Sequence, residues 1–187
     1  LEGRTALVTG GGSILGRAIA LALSARGVRI VVTGREEKAL GETVGEVVYG
    51  GGKARHLTGD PGDPVHLAAA VERATSVFGA PDILVLADAS GIEKALSTLA
   101  KTVASSGCLL VALAEPAPGI ASLVREQALA LEGQPITCNA ILLDAAAEED
   151  GAADAAELAV YLCSGAGDRI TGQSITLGHA VRSRPRG

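Results

Sequence analysis

Short apolar, β-branched runs alternate with helical patterns along all 187 residues, and this alternation constrains the fold more than any other feature. Strands are expected at Thr5–Thr9, Arg29–Thr33, Lys53–Leu57, Asp82–Leu86, Cys108–Leu113, Ile136–Leu142 and Ser174–Leu177. Helices are expected between them at Leu15–Arg26, Glu36–Val48, Pro64–Phe78, Ile92–Ser105, Ile120–Leu131 and Ala152–Ser164. Strands joined by helical crossovers lie parallel in one sheet, and right-handed crossovers place helices on both of its faces. The expectation is one α/β domain over residues 1–180, a doubly wound parallel sheet of about seven strands, followed by a basic tail at 181–187 that frays into solvent.

Composition agrees with that architecture. Nearly half the residues are apolar, yet the chain holds one Phe, two Tyr and no Trp. A core of Ala, Val, Leu and Ile suits closely spaced layers of sheet and helix. The net charge of −5, with no basic cluster interleaved with aromatic residues, disfavours nucleic-acid binding. Cys108, Cys138 and Cys163 lie among apolar residues without metal-ligand spacing, and they read as isolated buried thiols in a reducing compartment. His56, His66 and His179 are equally scattered, so no metal site is expected. No apolar run approaches a membrane span and no signal-peptide pattern is visible, which makes a cytoplasmic protein the expectation. An opening Leu1 in place of Met is what a piece of a longer chain would show.

The strongest local motif is Thr9-Gly10-Gly11-Gly12-Ser13-Ile14-Leu15-Gly16-Arg17, between the first strand and the first helix. A glycine-rich turn at that junction presents backbone N–H groups to a pyrophosphate at the positive end of the helix. The motif resembles the opening Thr-Gly-x-x-x-Gly-x-Gly of the short-chain dehydrogenase/reductase family, with Thr9, Gly10 and Gly16 matching and Ile14 in the place of the middle glycine. Further resemblances run nearly the whole chain: Val32-Thr33-Gly34-Arg35, Gly59-Asp60, Phe78-Gly79-Ala80-Pro81-Asp82-Ile83-Leu84-Val85, Ile136-Thr137-Cys138-Asn139-Ala140-Ile141 and Ile170-Thr171-Gly172-Gln173-Ser174-Ile175.

The resemblance implies a Rossmann-type fold and NADP or NAD as cofactor. Thr9, Gly10, Ser13, Ile14 and Gly16 would form the phosphate loop, Arg35 would accept the extra phosphate of NADP, and Asp60 would meet the adenine amine. The β-branched Ile14 would push its side chain toward the ribose and phosphate, which sets cofactor binding against the survival of the fold signature. Arg35 serves equally well as a solvated residue at a helix start.

The family's chemistry rests on a Tyr that exchanges the proton, a Lys four residues later that lowers the phenol's pKa, and a Ser that orients the carbonyl. The register of Ala128-Leu129-Ala130-Leu131-Glu132 implies Glu115 at the Tyr position, Gly119 at the Lys position and Ala114 near the Ser position. Tyr49, beside Gly50-Gly51-Gly52, and Tyr161, in a late helix, both read as structural. The fourth strand leads into Leu86-Ala87-Asp88-Ala89 in place of Asn-Asn-Ala-Gly, and Leu142-Leu143-Asp144 replaces the expected Pro-Gly. The connection to the fifth strand has room for one helix, where a family member has a further one. Asp88 and Glu115 are the remaining candidates for proton transfer, although acidic residues in surface loops are common. The acidic run Glu148-Glu149-Asp150 is expected as a solvated loop and helix start.

Three functions follow as expectations. The first is a degenerate member, silent alone, acting as a structural or regulatory subunit of an oxidoreductase assembly. It would form a homo-oligomer, or a hetero-oligomer with an intact homologue, through the Ile92–Ser105 and Ile120–Leu131 helices. Ala100, Ala121, Ala128 and Ala130 leave those helices a smooth second face, which a plain Ala-rich surface explains as well. The second is an active NAD(P)H-dependent oxidoreductase, a carbonyl reductase or alcohol dehydrogenase, using Asp88 or Glu115. The third is a nucleotide-sensing module. Neither nucleic acid nor a membrane is an expected partner.

Overall fold

The computed structural model describes residues 1–102, 106–114, 118–144 and 148–178. Seven strands, β1 (Thr5–Thr9), β2 (Arg29–Gly34), β3 (Ala54–Thr58), β4 (Ile83–Leu86), β5 (Gly107–Leu113), β6 (Ile136–Leu143) and β7 (Ser174–Leu177), form one sheet in the order β3-β2-β1-β4-β5-β6-β7. Every neighbouring pair is parallel. Six helices connect them: α1 (Ile14–Ser24), α2 (Glu37–Tyr49), α3 (Pro64–Phe78), α4 (Ile92–Ala100), α5 (Ile120–Ala130) and α6 (Glu148–Leu162).

Strand position follows from side-chain chemistry. The buried runs of β1, β2, β4, β5 and β6 are apolar almost without interruption, because a strand covered by helices on both sides exposes neither face. The more polar β3 and β7 are partly exposed and stand at the two edges. Alternation along each strand divides the core. Ala6, Val8, Ile83 and Val85 join the layer that includes Leu15, Ile19 and Leu23 of α1 and Ala155 and Ala159 of α6. Leu7, Leu84 and Leu86 join the opposite layer, with Leu67 of α3, Leu96 and Leu99 of α4 and Val124 of α5. The alanines let α1 and α6 lie close together, and hence the core needs almost no aromatic volume.

Helix ends obey local rules. Asp63 accepts a hydrogen bond from the Val65 N–H at 3.0 Å ahead of Pro64, and Gly79 closes the same helix at φ 102°. Several limits move from expectation: α1 ends at Ser24, before Arg26, and α6 runs over Glu148–Leu162 in place of the expected Ala152–Ser164, so the acidic run opens the helix itself. α4 stops at Ala100 with Lys101 as its C-cap, short of the expected Ser105, and the 181–187 tail lies outside the described residues. Among the described residues, no helix is long and apolar enough to cross a membrane.

Candidate nucleotide cleft

The chain enters β4 after leaving β3 at the far edge, so the strand order reverses between β1 and β4. The crevice beyond the carboxyl ends of these strands is where ligands of open α/β sheets bind. A pocket of about 270 Å³ lies there, lined by Gly10, Gly12, Ser13, Gly34, Arg35, Glu36, Ala39, Leu40, Ala87 and Asp88.

Backbone packing explains the glycine turn. Gly10 has φ 64°, and a Cβ there would stand 2.4 Å from the Ala87 carbonyl oxygen. At Gly16 a Cβ would stand 2.3 Å from the Gly10 carbonyl oxygen. Ser13 caps α1: its hydroxyl accepts from the Gly16 N–H at 3.1 Å and donates to the Gly10 carbonyl at 2.8 Å. Thr43, which the sequence did not single out, donates to the Gly11 carbonyl at 2.8 Å and ties the turn to α2. The loop is thus held by its own contacts, with the positive end of α1 beside the pocket. Thr9 Oγ1, at the end of β1, is buried without a hydrogen-bond partner among the described residues.

Ile14 opens α1 with its side chain 48% exposed and does not line the pocket. Arg35 and Asp60, which the resemblance gave separate tasks, meet each other: an Arg35 guanidinium N–H donates to Asp60 Oδ1 at 2.9 Å. Arg35 also donates to Ser90 Oγ at 2.7 Å and lies 3.8 Å from Asp88 Oδ2. The Gly62 N–H, and then Arg35, hold the Asp60 carboxyl below its ordinary value. Arg35 is therefore engaged across the mouth of the pocket and not free in solvent. Ser90, its third partner, carried no recognisable signal in the sequence.

Asp88 is the one acidic candidate placed at the cleft. Its Oδ1 accepts from the Ser90 N–H at 2.7 Å, so the carboxylate shapes the loop after β4. Glu115 lies outside the described residues, as does His179. Ala114 directly follows β5, and Gly119 is the N-cap of α5 at φ 86°. Tyr49 and Lys53 stand four residues apart, the family's spacing, but Tyr49 ends α2 and is 96% exposed. A turn through Gly50 and Gly51 separates them from one another, at the edge of the sheet where β3 starts, opposite the cleft. Tyr161 lies half-exposed on α6.

Among the described residues, no group of His, Cys, Asp and Glu gathers in a metal-binding arrangement. His66 Nε2 lies 2.5 Å from Thr33 Oγ1 and packs against Gly59. All three cysteines are buried and free, but they are not all isolated: Cys163 Sγ stands 3.4 Å from Cys108 Sγ.

The cleft suits a phosphate at its loop side, where the helix terminus and glycines leave the backbone open, and Arg35 adds a cation nearby. The family profile described as short chain dehydrogenase matches residues 4–102. A cyclohexanol dehydrogenase of Acinetobacter sp. (strain SE19) is 42% identical over 77 residues, which cover 41% of this chain and 31% of that enzyme. A versicolorin reductase of Emericella nidulans is 38% identical over 85 residues, covering 45% of this chain and 32% of that protein. These matches thus span about a third of each relative's length. Among solved structures, a hydroxysteroid dehydrogenase from Escherichia coli superposes with a TM-score of 0.84 at 24% identity, covering 95% of this chain and 96% of that one. A Burkholderia cenocepacia short chain dehydrogenase in complex with NADP superposes at 0.82 and 22% identity, covering 95% of this chain and 97% of that one. At these identities the superpositions establish the fold.

Proposed function

The chain belongs to the short-chain dehydrogenase family, and from that premise we propose that it is a catalytically silent member, serving as a structural or regulatory subunit of an oxidoreductase assembly. The observation that carries this reading is Gly119. By the resemblance it would stand at the position of the family's lysine, and its φ of 86° is a conformation that a side chain such as Lys adopts only at a cost. Ala114, in place of the serine, offers no hydroxyl, and the two tyrosines stand away from the cleft. A phenol without an adjacent cation stays protonated near neutral pH and is a poor proton acceptor. The degenerate Tyr-Lys position thus removes the acid–base step while leaving the fold intact.

The cleft retains a nicotinamide nucleotide as its ligand in this reading. Gly10, Gly12 and Ser13 would face the phosphates and Arg35 the ribose phosphate; the nucleotide when bound supplies hydride chemistry in active members of the family. Arg35 must then exchange Asp60 and Ser90 for the ligand. The partner is a second copy or an intact homologue, meeting α4 and α5. Ala121, Leu129 and Ala130 of α5 are exposed, which leaves a smooth surface for that contact.

The test is NADPH and NADH titration combined with turnover assays on carbonyl and hydroxyl substrates and with light scattering of the eluting species. The expected result is no turnover and a dimer or larger species, alone or after addition of an intact homologue. Turnover by the purified chain overturns the reading.

Because Asp88 lines the cleft, a second reading exists: an active oxidoreductase with Asp88 as proton carrier. It requires turnover that Asp88→Asn abolishes.

A further inference from the structure

A second and larger cavity, of about 720 Å³, opens at the other end of the sheet, beneath the amino ends of β5 and β6. Its walls include Arg4, Cys108, Arg125, Thr137, Cys163 and Asp168. None of these residues takes part in the nucleotide cleft. Two of them are thiols that the sequence separates by 55 positions and the fold brings together.

The framework around the pair is rigid. Cys108, near the start of β5, is flanked in register by Ile83 of β4 and Thr137 of β6. Cys163 follows α6, and its N–H donates to the Ala159 carbonyl at 2.9 Å. Arg4 donates to the Cys163 carbonyl at 3.0 Å and to the Asp82 carbonyl at 3.4 Å, tying the approach to β1 to the end of α6. The Cys163 thiol donates to Cys108 Sγ at 3.4 Å. A disulfide requires about 2.05 Å between sulfurs, so the two must close by about 1.4 Å, within the reach of side-chain rotation about Cα–Cβ.

We propose that Cys108 and Cys163 form a redox pair that a hydroperoxide entering this cavity converts to an intramolecular disulfide. Cys108 is the attacking sulfur. The hydrogen bond from Cys163 holds its thiol below the ordinary value against the opposing effect of burial, and Thr137 and Arg4 act in the same direction. The same hydrogen bond, with burial, pushes Cys163 well up and keeps it protonated as the resolving partner. Cys138 is the internal contrast: burial pushes it up to about 12, it sits on β6 in register with Leu109, and it does not line the cavity.

The chemistry balances in two steps. The Cys108 thiolate attacks one peroxide oxygen, an S–O bond forms, the O–O bond breaks, and the departing alkoxide or hydroxide takes up a proton to leave as alcohol or water. The Cys163 sulfur, giving up its proton, then attacks the Cys108 sulfenic sulfur; the S–S bond forms, the S–O bond breaks, and water leaves. Two thiols are oxidised and one peroxide is reduced. In a reducing compartment the pair rests as dithiol and the bridge is transient. Once formed, it fastens the end of α6 to the start of β5 and closes a long loop containing β5 from Cys108 onward, α5, β6 and all of α6.

The experiment treats the purified full chain with hydrogen peroxide, blocks remaining thiols under denaturing conditions, and maps the peptides by mass spectrometry without reduction. The expected product has lost two hydrogens, joins the Cys108 peptide to the Cys163 peptide, and leaves Cys138 alkylated. Its Tm rises by on the order of 10 °C, and dithiothreitol reverses the rise. In Cys163→Ser the expected species is a sulfenic acid at Cys108 trapped by dimedone, whereas Cys108→Ser gives no trapped species at Cys163. Three free thiols after a peroxide dose that oxidises a reference dithiol overturn the proposal. So does oxidation of Cys138 ahead of the pair, a bridge between two chains, or sulfinic acid without a bridge. The wild-type mapping decides the matter even if either variant fails to fold.

Discussion

The halves of the sheet on either side of the β1–β4 crevice are packed alike and equipped differently. Leu7 in β1 and Leu109 in β5 are both fully buried, and strands of both halves pair parallel with their neighbours throughout. The family profile nevertheless ends at residue 102, before β5. In the first half the capped glycine turn, Arg35 and Asp60 surround a pocket. In the second, the segments after β5 and before α5 carry Ala114 and Gly119 at the positions where the resemblance implies catalytic groups. A fold asks only that apolar residues recur with the right period and volume. Chemistry asks for particular atoms at particular points, and single changes remove it. A parallel sheet and the reaction it positions therefore rest on different features of a sequence.

The largest effect that probes this contrast is expected from Gly10→Ala. The left-handed φ and the Ala87 carbonyl oxygen both oppose a Cβ, so urea unfolding should show a loss of at least about 3 kcal/mol. A loss below about 1 kcal/mol would mean the turn is slack and not held by packing. Next come Leu7→Ala and Leu109→Ala, each expected to cost about 3 kcal/mol, because both remove the same buried volume. If Leu109→Ala costs much less, the two halves are not packed alike and the comparison breaks. Gly119→Ala sharpens it further. Its φ is as unfavourable as that of Gly10, but no atom of the described residues lies within 4 Å of the methyl group this substitution adds, so only the backbone cost of about 1 kcal/mol is expected.

A smaller effect, read by calorimetry, concerns Ile14→Gly. Because Ile14 is half-exposed and outside the pocket lining, NADPH affinity should change by less than about threefold. A gain of tenfold or more would make Ile14 the obstacle that its sequence position suggested. The smallest effect belongs to Asp60. Its folded value lies below the ordinary 3.8, so its stabilising contribution is present above about that pH and is lost as pH falls through the lowered value. Asp60→Asn should flatten only this acid limb of the stability curve and leave the neutral range nearly unchanged, as befits an exposed ion pair.

The alternation of β-branched runs with helical periods determined the architecture by itself, down to the limits of Thr5–Thr9, Pro64–Phe78 and Ser174–Leu177. Local propensity and patterning suffice where each segment buries a face that its own period defines. The glycine turn was legible as a motif because its glycines lie within a few residues of one another, whereas the Ala87 and Thr43 contacts that hold it come from far along the chain. What only the tertiary structure decided were the meetings across distance. Arg35 engages Asp60, Ser90 and Asp88 from separate loops, and Thr43 reaches back from α2 to Gly11. Tyr49 and Lys53, correctly spaced along the chain, fall at the wrong end of the sheet. Cys108 and Cys163, which look isolated in sequence, share a hydrogen bond because the crossover of α6 returns the chain to the beginning of β5. Sequence spacing encodes neighbours along an element, whereas contacts between elements depend on sheet order and crossover hand, which place residues far apart in the chain at one end of the same sheet.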